Sequence, residues 1–158
     1  MLVRIAPLYI DQEVENRRIP WNQRFARWLQ RYIPLQIYIA LPFGRRSLEA
    51  QLNGRSSFPT EEWERQGFAV LHVKPLLEVI ATELQLPNAN LLPDDPLHIV
   101  IIPGYDDFTL AWLHRGLEHR MRVVIDIEEL RALVSDSTST VKSLVDHLIR
   151  KLTLPGNC

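Results

Sequence analysis

Apolar residues at Val141, Leu144, Val145, Leu148, Ile149 and Leu152 give the strongest periodic signal in the chain. Spacings of three and four residues place them on one helix face, and Ser137 or Ser139 is positioned to cap its start. Two similar stripes precede it. Leu76, Leu77, Ile80 and Leu84 follow Pro75, a proline suited to a first helical position, and stop before Pro87. Leu110, Leu113, Leu117 and Met121 follow Asp107, whose carboxylate is placed to cap that helix. Between the last two stripes, Asp126-Ile127-Glu128-Glu129 is close to a capping box and predicts a brief helix through Leu133.

The first half mixes periods. Met1 to Ile5 predicts a short strand ending at Pro7, and Leu35, Ile37, Ile39 and Leu41 alternate with other residues as a half-buried strand does. Between these, Pro20 opens a helix bearing Trp21, Phe25, Trp28, Leu29, Tyr32 and Ile33 on one side and Arg24, Arg27 and Arg31 on the other. A helical turn over Ser47 to Leu52 stops at Asn53-Gly54, and Pro59-Thr60-Glu61-Glu62 opens a short helix that Gly67 closes. Phe68 to Val73 reads either as a third strand or as the lead into the next helix. The pattern predicts an α+β protein, with a small N-terminal α+β region over 1–72 and a mainly α bundle over 73–158.

Composition adds bounds. Hydrophobic residues make up 46% of the chain, which is globular usage, and no apolar run approaches the roughly 20 residues of a bilayer span. The N-terminus does not read as a secretory signal, and a single cysteine makes no internal disulfide; both point to the cytoplasm. The net charge of −1 conceals an asymmetry, +5 over residues 1–56 and −6 over 57–158. Arg45, Arg46 and Arg55 extend the basic face of the Trp21 helix, a surface suited to nucleic acid or anionic lipid.

Catalytic chemistry is harder to place. Asp94, Asp95, Asp106 and Asp107 are oxygen donors for a cation, but their spacing fits no calcium loop and turn formation accounts for them. His114 and His119 share no helix face well, and no nucleophile–base set or phosphate-binding glycine loop is present. These absences argue against an enzyme. His98 to Ile102 and Arg122 to Ile127 leave a second fold open, an α/β unit with Asp106 and Asp107 at a strand end.

Gly104-Tyr105-Asp106-Asp107-Phe108-Thr109-Leu110 resembles the Gly-x-Asp-Ser-Leu of acyl and peptidyl carrier proteins, with Asp107 where the family's serine takes phosphopantetheine. Leu117-Glu118-His119-Arg120-Met121, Ile125-Asp126-Ile127-Glu128-Glu129 and Thr140-Val141-Lys142-Ser143-Leu144 also resemble family motifs, and the likeness spans about Val73 to Leu152. It implies a four-helix bundle with helices long, long, short and long. A carboxylate cannot form the phosphodiester, so the resemblance implies a bundle with no cofactor. The family's second helix is acidic, whereas His114, Arg115, His119, Arg120 and Arg122 stand on it here. The expectation is a non-catalytic adaptor or assembly protein with protein partners, itself included. Arg24, Arg27, Arg31, Arg45, Arg46, His114, Arg115 and Arg120 are the candidate contact residues. The alternative is a regulatory protein whose basic N-terminal surface binds nucleic acid or lipid.

Overall fold

The computed structural model describes residues 5–11, 45–101 and 107–153, with the side chains of Asp107 and Phe108 outside the description. These residues form seven helices and no strand; an isolated antiparallel bridge joins Pro96 to Thr140. The helices are α1 Arg45–Gly54, α2 Thr60–Arg65, α3 Val70–Glu83, α4 Leu97–Val100, α5 Asp107–Met121, α6 Ile127–Ser135 and α7 Val141–Thr153. From α3 onward, a long connection carrying the single turn of α4 leads to a second long helix, then a short one, then a long one.

Each predicted stripe is the buried face of its helix. Leu76, Leu77 and Ile80 of α3 with Leu84 at its C-cap, Leu110, Leu113 and Leu117 of α5, and Val141, Leu144, Val145 and Leu148 of α7 are buried; Met121 and Ile149 lie at the margin, and Leu152 is exposed. α3 packs chiefly on α5, while α6 contacts α4, α5 and α7. Leu8, Leu48, Leu52 and Trp63 join the same core as these helices.

The helix ends follow from local chemistry. After α2, Gly67 has φ +85°, its N–H donates to Glu64 O at 2.9 Å, and Phe68 N–H donates to Trp63 O at 3.1 Å. This is a Schellman stop, and its apolar contact is the Trp63–Phe68 edge-to-face pair at 5.6 Å. α3 stops in the same way, with Leu86 N–H donating to Ala81 O and Gln85 N–H to Thr82 O, but here the left-handed residue is Gln85 at φ +52°. Asp126 caps α6 as predicted, its Oδ1 accepting from Glu128 N–H at 2.8 Å. α7 starts at Val141, so Thr140 precedes it in place of Ser137 or Ser139. Ser139 O instead accepts from Leu97 N–H, and Asp136 Oδ1 organises the turn by accepting from the N–H and Oγ1–H of Thr138.

Several expectations change. The described part is mainly α: of the strand expected over Met1 to Ile5 only Ile5 is described and it has no regular structure, while residues 1–4, the strand over 35–41 and the helix over 21–33 lie outside the described residues. Phe68 to Val73 leads into α3, which runs through Pro75. Lacking an N–H, Pro75 leaves the Leu71 carbonyl without its helical donor; Leu71 is 80% exposed, so the gap falls where water reaches. The α/β alternative also fails where it is described, because residues 97–100 are helical. Leu97, Ile99 and Val100 are all buried and Leu97 N–H is held by Ser139 O, so tertiary burial overrides β-branched preference. Val123 and Ile125 are buried around exposed Val124, a strand-like alternation, yet side chains of α5 take the polar groups a neighbouring strand would. Ile125 N–H donates to Glu118 Oε1 at 3.1 Å, and Ile125 O lies 2.7 Å from His114 Nε2.

Candidate functional site

The motif over Gly104–Leu110 ends in α5, which begins at Asp107. Asp106 and the side chain of Asp107 lie outside the described residues, as do Arg24, Arg27 and Arg31. Thr109 is half-buried and Leu110 is in the core. Beyond it, Trp112, Arg115 and His119 are exposed at i, i+3 and i+7, one face of α5, with Trp112 66% exposed. An exposed tryptophan between cationic and polar side chains has the composition of a protein-contact hot spot.

The other candidate residues are tied into the fold to different degrees. Arg45 spans from α1 to the end of α3: its Nε pairs with Glu49 Oε1 at 2.7 Å, Nη1 donates to Leu84 O at 2.8 Å, and Nη2 donates to Gln85 O. It therefore neutralises carbonyls at the negative end of α3. Arg120 pairs with Glu83 at 2.7 Å across the α3–α5 contact. His114 holds Ile125 O, a contact that requires the proton on Nε2, and lies 3.5 Å from Glu118. Arg46 is half-buried and Arg115 is exposed.

Arg55 corrects the basic-surface reading, because its guanidinium is buried against Asp95. Nη1 and Nη2 meet Oδ2 and Oδ1 at 2.6 and 2.9 Å, with the aspartate fully buried. The same carboxylate accepts from Leu8 N–H at 2.8 Å and Leu92 N–H at 2.7 Å, while the guanidinium donates to Ala6 O and Asn90 O. Every partner of the pair is hydrogen-bonded, which offsets the cost of burying two charges. Asp95 is thus neither a simple turn former nor an open cation donor. Among the described residues no three His, Cys, Asp or Glu side chains converge as metal ligands, and no helix is long and apolar enough to cross a membrane.

Sequence reasoning missed this clasp because Asp95 sits in Asp94-Asp95-Pro96, a turn signature, and 40 residues separate it from Arg55. Among the described residues, two titratable groups elsewhere are shifted. Burial pushes the His147 imidazole below its ordinary 6.5 against the attraction of Glu129, and Lys151 and Arg150 add to the lowering. Glu129 Oε2 lies 3.4 Å from His147 and also pairs with Lys151 at 2.8 Å, and its attraction does not reverse the shift. Hydrogen bonds from Thr138 lower the Asp136 carboxyl below 3.8.

The chain matches no family model, no curated protein and no solved structure.

Proposed function

We propose that residues 73–152 are a carrier-protein-like bundle that has lost its prosthetic arm and serves as a non-catalytic adaptor or assembly protein. The observation that carries the reading is the start of α5 at Asp107, the position at which the resembling family holds its reactive serine. Around it, the order of helices from α3 to α7, long, long, short and long with an apolar connection after the first, is the order the resemblance implies. A carboxylate at 107 supplies no hydroxyl for phosphodiester formation.

The exposed Trp112–Arg115–His119 face belongs to the helix with which carriers dock, and it supports a protein partner of different charge from theirs. Incubation with coenzyme A and a broad-specificity phosphopantetheinyl transferase tests the reading by mass. The native chain gains nothing, and Asp107→Ser gains one arm. An arm on the native chain overturns it.

A further inference from the structure

Residues 6–11 lie on the rest of the molecule by their backbone. Ala6 O accepts from Arg55 Nη2 at 3.0 Å, and Leu8 N–H donates to Asp95 Oδ1 at 2.8 Å. Tyr9 N–H donates to Gln51 Oε1 at 3.3 Å, and Tyr9 O accepts from Gln51 Nε2 at 2.6 Å and from Ser47 Oγ at 3.2 Å. Asp11 N–H donates to Ser47 Oγ at 2.9 Å. All these partners are side chains, contributed by α1, by Arg55 just after it, and by the Asn88–Pro96 connection. They lie between 36 and 87 residues away in sequence.

Only one side chain of the segment is buried. Leu8 is 2% exposed, whereas Ile5, Tyr9 and Ile10 are 40%, 55% and 39% exposed. Backbone recognition with a single apolar anchor is how proteins hold peptide ligands, since main-chain bonds give affinity and one pocket gives selectivity. The receptor side is built independently of the segment: Arg55 and Asp95 pair with each other, Asp95 also holds Leu92 N–H, and Asn90 Nδ2 donates to Arg55 O at 2.7 Å. Asn88 Nδ2 likewise fixes Leu52 O at 2.8 Å, and Trp63 Nε1 donates to Leu91 O at 2.9 Å. These bonds preorganise the cleft.

We infer that the cleft between α1 and the Asn88–Pro96 connection is a peptide-docking site, occupied in cis by residues 6–11, which takes an open segment with leucine in the Leu8 position from another polypeptide. The inference uses no residue of the Gly104–Leu110 segment and stands or falls apart from the carrier-like reading. Arg55 and Asp95 read one carbonyl and one amide, Gln51 and Ser47 read the Tyr9 backbone and the Asp11 amide, and the buried Leu8 position reads leucine.

Full-length protein bearing Leu8→Asp places a carboxylate beside Asp95 and empties the site in cis. Fluorescence anisotropy with a labelled peptide of residues 5–11 is expected to show binding at least about tenfold tighter to this variant than to the native chain, whose site is filled. Adding Gln51→Ala removes the two Gln51 contacts to the Tyr9 backbone, leaving the one from Ser47 Oγ, and weakens peptide binding by about fivefold. A folded Leu8→Asp protein that binds no peptide overturns the inference. Should that variant fail to fold, hydrogen exchange of the native chain decides. Amides of Leu8, Tyr9 and Asp11 opening together at least about a hundredfold more often than those of Ile80 and Leu144 support it; exchange only with global unfolding overturns it.

Discussion

The fully buried Asp95 carboxylate sets the sharpest energetic constraint at the level of single residues, because both its oxygens are shared between Arg55 and a backbone amide. Removing only the cation strands a charge in the core. Arg55→Met should therefore cost about 3–5 kcal/mol in denaturant unfolding, far more than a typical surface substitution. His147 yields a pH dependence. Its folded pKa lies below 6.5, so below that value the unfolded chain binds more protons than the folded one. The contribution of neutral His147 is full above 6.5 and is lost as pH falls below it. His147→Gln should flatten the melting temperature against pH between about pH 5 and 7 relative to the native chain; an unchanged slope would remove this role. Neither feature was legible in the sequence: Asp95 stands in a turn signature and His147 on an ordinary amphipathic helix, and burial by distant residues gives both their character.

At the level of elements, helix stripes and stops were legible because they depend on neighbours within four residues. Gly67 and Asp126 lie where their chemistry demands, and the α3, α5 and α7 stripes face inward. The Pro75 reading missed by five residues, since a proline tolerated inside α3 is indistinguishable in sequence from one that starts it. Gln85 ends α3 at φ +52°, a conformation that costs a residue with a Cβ about 1 kcal/mol, so Gln85→Gly should stabilise by about 0.5–1 kcal/mol. Gly116 marks the α3–α5 contact, where an added Cβ would collide with the Glu83 side chain that Arg120 holds. Alanine has better helix propensity by about 1 kcal/mol. Gly116→Ala should accordingly stabilise in a Glu83→Ala background and lose that gain, or destabilise, in the native one. A double-mutant cycle with no coupling would refute the contact.

For the whole molecule, one core unites Leu8, α1 and Trp63 with the helices from α3 to α7, an arrangement that charge asymmetry between the two halves did not disclose. That asymmetry speaks of a basic surface on the first half. It could not show that a single buried Arg–Asp pair, with leucines around it, makes part of the connection. The carrier-like reading rests on helix order and on Asp107, both visible in sequence, whereas the peptide cleft emerged only from contacts separated by tens of residues. The proposed docking face on α5 predicts that Trp112→Glu abolishes capture of a partner retained by the native protein while leaving the melting temperature within about 2 °C, because the indole is mostly exposed. The most direct measurement remains intact mass after treatment with coenzyme A and the transferase. The native chain should be unchanged and folded Asp107→Ser should gain one arm; an arm on the native chain, or none on folded Asp107→Ser, would contradict the account.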